Sequence, residues 1–252
     1  MNRWSAALFA LLVASSGVGA AQGRARQRVL FVGNSYTRFN DLPRLVSRIA
    51  ASDPGGPRLR TERQTEPGWS LRQHWERRRA SRRIRHGHFD AVVLQERSLN
   101  PLEAREETLE YGRRLSGVAR SSGARVILFE TWARVAGDPS YDELGVRDPA
   151  QMLERVEAVY EELGRILRAP VAPVGRAWLR ARAAIPDTRL YRDDGTHPLM
   201  AGSYLGACVI YGTLTGRDPR AGTYVPHRLG SSRARRIREV AARALADEAT
   251  RR

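Results

Sequence analysis

The chain has 252 residues, enough to bury the core of one α/β domain of ordinary size. All 43 basic residues are arginine against 27 acidic ones, giving a net charge of +16, while aromatic residues make up only 7%. The arginines are spread along the chain rather than set into a nucleic-acid motif, which excludes a dedicated nucleic-acid module and leaves weak attraction to anionic envelope polymers or a membrane surface. A single cysteine excludes an internal disulfide, so packing has to supply the stability.

Residues 1–21 carry the marks of a secretory signal: Arg3, an apolar stretch over 6–13, and the small-residue site Val18-Gly19-Ala20. The apolar stretch is too short for a permanent membrane helix. Export to the periplasm or beyond is expected, with residues 22–252 forming one domain. The apolar run 29–32 then reads as a strand that stops at Gly33-Asn34-Ser35. Asn40 or Asp41 can cap a helix that buries Leu42, Leu45, Val46 and Ile49, and a weaker strand is expected over 58–63.

A third strand is expected over 91–94. The preceding His86-Gly87-His88 lacks the cysteine or carboxylate partners of a metal site and reads as a loop. Asn100-Pro101-Leu102-Glu103 resembles a capping box with proline at the first helical position. After a strand over 126–129, residues 133–147 form either a mobile lid or a plain connection. Asp148-Pro149-Ala150-Gln151 opens a helix that buries Met152, Val156, Val159, Tyr160, Leu163 and Ile166. A last strand is expected over 171–174. The segment 199–214 is apolar almost all round and is predicted to be buried, with Cys208 an inert thiol inside it and Gly216 its end. Residues 232–246 place Ile237, Val240, Ala241, Ala244 and Leu245 on one side of an arginine-rich helix, docked on the domain rather than lying on a membrane. Short β-rich runs alternating with amphipathic segments predict an α/β fold, a parallel sheet with helices on both faces.

Two short blocks carry chemistry. Ser35 follows a strand directly, where open α/β sheets place ligands, and its backbone N–H can face a developing oxyanion. A serine hydroxyl needs a base before it is a useful nucleophile. His197 is that candidate base, and Asp194, three residues earlier, can hold its other ring nitrogen. Asp193 is the second choice for the carboxylate. Trp69 and Trp132 lie beside these loops and can stack on a sugar ring or line an acyl pocket, although rim or core packing is an equal expectation. Asn34 joins them in the expected substrate-binding group. His74 and His227 are expected to be structural or exposed.

Val32-Gly33-Asn34-Ser35-Tyr36 and Asp194-Gly195-Thr196-His197-Pro198 resemble the nucleophile and Asp-x-x-His blocks of the SGNH (GDSL-like) hydrolase superfamily. Pro67-Gly68-Trp69 falls where that family places its glycine block, and Val171-Ala172-Pro173-Val174-Gly175 resembles its last strand. The resemblance implies a three-layer α/β/α sandwich, flavodoxin-like, with a central parallel five-stranded sheet. It also implies Ser35, Asp194 and His197 as a catalytic triad, and an oxyanion hole from the Ser35 and Gly68 N–H groups with one side-chain amide. The family's Gly-x-Asn-Asp block is missing, so Gln95 is the first choice for that amide and Asn100 the second. No metal or organic cofactor is implied. The expected activity is that of an exported serine esterase releasing short acyl groups, acetyl first, from a carbohydrate. The rivals are a lipid or lysophospholipid esterase of the same mechanism and a non-catalytic polyanion-binding envelope protein.

Overall fold

The computed structural model describes residues 26–251, and the expected leader and its cleavage site lie outside the described residues. In chain order the elements are β1 Arg26–Gly33, α1 Ser35–Arg38, α2 Leu42–Ser52, β2 Arg58–Thr65, α3 Leu71–Glu76, α4 Arg79–His86, β3 Ala91–Leu94, α5 Asn100–Glu103 and α6 Arg105–Ser121. They continue with β4 Arg125–Phe129, α7 Ser140–Glu143, α8 Pro149–Leu167, β5 Val171–Ala172, α9 Val174–Ala184, α10 Met200–Thr215 and α11 Ser231–Arg251. All strand pairs are parallel, in the order β2-β1-β3-β4-β5.

Alternation along the strands divides the core into two layers. Val29, Phe31, Val93, Ile127 and Phe129 face α2, α9, α10 and α11. Leu30, Val32, Val92, Leu94, Val126 and Leu128 face α3, α4, α6 and α8. The inner strands are apolar on both sides because each side is covered by helices. The edge strand β2 instead carries Arg58, Arg60, Glu62 and Arg63, charges that discourage pairing with another chain. Helix α10 is buried nearly all round, including Cys208, whose thiol burial pushes up to about 12. Gly216 ends it in the left-handed conformation at φ 68°. The arginine-rich α11 docks Ala234, Ile237, Val240, Ala241 and Ala244 into the same layer. Among the described residues no helix is long and apolar enough to cross a membrane.

Several local expectations need correction. The strand 171–174 shrinks to Val171–Ala172, because Pro173 has no N–H for a ladder and Val174 already begins α9. Ile166 is 39% exposed, off the buried stripe of α8. Asp41 precedes α2 without a side-chain cap, since its carboxylate instead pairs with Arg63 at 2.6 Å. Asn100 is the first residue of α5 rather than its side-chain cap, as Arg97 occupies its Oδ1. Residues 133–147 are tied down. The Val135 N–H donates to Gly195 O at 2.9 Å, and Tyr191 donates its hydroxyl to Ala133 O at 2.7 Å.

One ion pair, buried on its carboxylate side and open to solvent on the other, joins the ends of two helices on the same layer. Asp53, directly after α2, accepts from Arg217 Nε at 2.6 Å and Nη2 at 2.8 Å and from the Tyr211 hydroxyl. The Arg217 hydrogen bonds, assisted by that of Tyr211, outweigh burial and hold the Asp53 carboxyl down at about 2. A carboxyl depressed in the folded state stabilises the protein above its unfolded value, and that stability is lost as pH falls through the folded value. Asp53→Asn is expected to destabilise the fold by about 2 kcal/mol at pH 7. It should also remove part of the acid-dependent loss between pH 4 and 2, as checked by denaturant unfolding across that window.

Candidate active site

The turn after β1 forces Ser35 outward. Asn34 caps α1, its Oδ1 accepting the Tyr36 N–H at 3.1 Å, so Ser35 opens the helix and its own N–H is one of the orphan donors. Beneath the turn lies Gln95, fully buried at the end of β3. Its Oε1 accepts the Asn34 N–H at 3.0 Å and the Thr37 hydroxyl at 2.9 Å, while its Nε2 donates to Asn34 Oδ1 at 3.0 Å and to Glu96 O. A backbone N–H can only donate, so the amide orientation is unambiguous. Gly33 is required at this point: a Cβ there would run into Gln95 Oε1 and Thr37 Oγ1. The Gly33 carbonyl in turn accepts from the Glu66 N–H at 3.3 Å and from His74 Nε2 at 2.8 Å.

The second half of the site comes from the loop before α10, and the structure brings the two halves into contact. His197 Nε2 lies 2.9 Å from Ser35 Oγ, and His197 Nδ1 lies 2.8 Å from Asp194 Oδ2. The other Asp194 oxygen accepts the backbone N–H groups of Thr196 at 3.1 Å and His197 at 2.9 Å. Partial burial pushes the Asp194 carboxyl upward, but hydrogen bonds from the His197 and Thr196 N–H groups and from the His197 ring hold it below its ordinary value. It therefore stays ionised through the neutral range. The site is open: the side chains of His197 and Asp194 are 28% and 45% exposed. Asp193, the second choice, points away and pairs with Arg189.

A stack of rings sets the distance between the two halves. Tyr36 lies flat on Trp132 at 4.2 Å, and Trp132 lies flat on Trp178 at 4.0 Å. Tyr36 OH meets Thr196 Oγ1, and Trp132 Nε1 donates to Thr196 O at 3.0 Å. Asn40 Nδ2 adds a bond to Pro198 O at 3.1 Å. Trp132 is therefore corrected from substrate contact to scaffold, since it is 2% exposed with both faces covered. Asn34 is corrected likewise: it is buried, and its Nδ2 donates to Trp69 O at 3.0 Å, holding the Gly68 loop beside Ser35. Trp69 is half-buried at the rim, its ring edge-on to His74 and beneath the guanidinium of Arg79.

The oxyanion assignments divide in the same way. Among the described residues the N–H groups of Ser35 and Gly68 have no protein acceptor, and Gly68 adopts φ 71° on an exposed turn. Gln95 cannot be the third donor, because both of its amide hydrogens are spent on Asn34 and Glu96. Asn100 is buried, and its Oδ1 accepts from the Arg97 guanidinium at 2.9 and 2.6 Å, bonds that do not use its Nδ2; among the described residues no hydrogen bond joins it to Ser35 or His197. Sequence reasoning missed Glu96 and, in expecting His74 to be structural or exposed, gave it no place at the site. His74 stays neutral, burial lowering its pKa, and props the Gly33 carbonyl. Glu96 Oε1 accepts the N–H groups of Leu71 at 3.1 Å and Arg97 at 2.6 Å, joining the entry of α3 to the exit of β3. The Ser70–Gln73 capping box was a legible signal for α3, but nothing in the sequence marks either side chain as buried.

If Gln95 supports the turn, Gln95→Ala should lower the unfolding midpoint together with activity. Loss of an oxyanion donor would instead reduce kcat at unchanged stability, so a thermal melt beside a rate measurement separates the two roles.

No family model and no curated protein matches the chain. Solved structures do match. A DUF4886 family protein from Bacteroides uniformis superposes with a TM-score of 0.74 at 16% identity, covering 88% of this chain and 95% of that one. A candidate SGNH hydrolase from Slackia heliotrinireducens gives 0.64 at 27% identity, covering 75% of this chain and 99% of that one. A catalytic mutant of Axe2, an acetylxylan esterase from Geobacillus stearothermophilus, gives 0.55 at 14% identity, covering 74% and 93%. By its five-stranded parallel sheet and these neighbours, the chain has the fold of the SGNH hydrolase superfamily.

Proposed function

We propose that the protein is an exported serine esterase that removes short acyl groups, acetyl above all, from a carbohydrate. The observation that carries this reading is the unbroken line Ser35 Oγ–His197 Nε2 at 2.9 Å and His197 Nδ1–Asp194 Oδ2 at 2.8 Å. In the proposed cycle Ser35 Oγ attacks the ester carbonyl while His197 takes its proton. Asp194, ionised, fixes the tautomer with the proton on Nδ1 and stabilises the imidazolium. The free N–H groups of Ser35 and Gly68 receive the oxyanion. His197 then protonates the leaving alcohol, and a water activated by the same imidazole releases the acid from Ser35.

A short acyl group is supported by the likeness to Axe2, an acetylxylan esterase. The carbohydrate alcohol is supported by the likeness to an acetylxylan esterase. Export rests on the leader-like composition of residues 1–21.

The purified mature protein is expected to hydrolyse p-nitrophenyl acetate faster than long-chain esters and to take a fluorophosphonate label on Ser35. Ser35→Ala should abolish label and turnover, while Asp194→Asn should leave the fold intact and lower kcat by about 10⁴. Folded wild-type protein that takes no label would overturn the assignment.

A further inference from the structure

In the proposed cycle the alcohol half of the ester must lie against His197, because its oxygen receives the proton held on Nε2. The surroundings of that ring therefore read out the alcohol and not the acyl group. Half-buried Phe39 packs against the His197 ring at 4.7 Å between centroids, tilted by 42°. Over the same phenyl ring sits the guanidinium of Arg192, 5.2 Å from its centroid. Arg192 is anchored to the catalytic loop by its backbone: its N–H donates to His197 O at 2.8 Å, and its carbonyl accepts the Gly195 N–H at 3.1 Å.

The guanidinium is exposed, and among the described residues it makes no ion pair. The nearest acidic residues in the sequence are engaged elsewhere, Asp193 with Arg189 and Asp194 with His197. A second exposed arginine, Arg38, stands three residues after Ser35 in α1, one helical turn along the same face, and also has no carboxylate partner among the described residues. A guanidinium laid on an aromatic face is pre-organised while its N–H fork remains open, the arrangement suited to bidentate capture of an oxyanion.

We propose that the alcohol half of the substrate is anionic, bearing a carboxylate or phosphate that Arg192, assisted by Arg38, binds beside the leaving oxygen. This rests on the serine-esterase reading and narrows its substrate class to acylated acidic sugars. It also gives two of the many arginines a specific place, separate from the diffuse field of a +16 chain.

The test compares kcat/KM for O-acetyl glucuronic acid with that for its neutral methyl ester, and for O-acetyl glucose 6-phosphate with that for O-acetyl glucose. Wild type is expected to favour at least one anionic member about five- to tenfold at low salt, and the preference should shrink in 0.5 M salt. The pair with the larger ratio distinguishes carboxylate from phosphate. Arg192→Gln should reduce that ratio to near one chiefly through KM for the anionic ester, and Arg192→Lys should restore part of it; Arg38→Gln should lower it less. Fluorophosphonate-labelled, active wild type with no anionic preference would overturn this inference and leave the esterase assignment standing. So would a preference that survives in the Arg38→Gln, Arg192→Gln double variant. Absence of label on the folded protein would remove the esterase assignment itself.

Discussion

The buried amide of Gln95 is the constraint on which the site depends. It presents an acceptor to the Asn34 N–H and the Thr37 hydroxyl and a donor to Asn34 Oδ1, so residues 34–37 are held from beneath in a single conformation. A buried polar group costs free energy unless its hydrogen bonds are made, and here each partner satisfies the other. The same packing explains the glycine at position 33, since any side chain would occupy the space of the amide oxygen. A strand carrying Gly33 ends against β3, a helix begins at once, and Ser35 has nowhere to go but the carboxyl edge of the sheet.

Positioning the other half is a long-range problem, because 162 residues separate Ser35 from His197. Stacked aromatic faces answer it. Tyr36 moves with the turn that carries Ser35, Trp132 with the segment after β4, and Trp178 with α9, and the three rings lie in one pile. Two hydrogen bonds from that pile, from Tyr36 OH and Trp132 Nε1, meet at Thr196, the residue next to His197. Rings constrain distance well because their contact surfaces are large and rigid, with few rotamers to lose. The aromatic residues that looked available for substrate are thus largely spent on geometry, with Phe39 and Trp69 left at the rim.

This division also accounts for what the sequence disclosed. The strands and helices were legible wherever burial imposes a period: the doubly covered runs at 29–32, 91–94 and 126–129, and the α8 stripe opened by Asp148, whose Oδ1 does accept the Gln151 N–H at 2.8 Å. Ser35, Asp194 and His197 were legible as blocks because a hydroxyl directly after an apolar strand, and a carboxylate three residues before an imidazole, are short local patterns. The direction in which Gln95, Asn34 and Trp132 point was not. An amide at a strand end can serve an oxyanion or a neighbouring turn with the same residue type, and only the partners Asn34 and Thr37, 61 and 58 residues away, decide between them. The orientation of Asn100 was hidden for a similar reason: Arg97, whose side chain fills its acceptor, is three residues away but gives no sign of it in the sequence.

Environment, and not residue type, also sorts the carboxyl groups around the site. Asp194 is partly exposed and receives donors on both oxygens, so its charge is retained. Glu96 lies one residue beyond Gln95 and is buried. Its Oε1 receives two backbone N–H groups, but its Oε2 has no hydrogen-bond partner, and burial pushes the carboxyl up to about 7. An ionised Glu96 would leave charge on an oxygen with no donor, which a low-dielectric interior penalises more than the two N–H bonds recover. His74 obeys the same logic with the opposite sign. Its Nε2–H is committed to the Gly33 carbonyl, and a proton on the unpartnered Nδ1 would bury a cation, so the ring remains neutral. Burial thus disfavours the charged forms of Glu96 and His74 beneath the turn after β1, while Asp194 on the exposed loop that carries His197 keeps its charge.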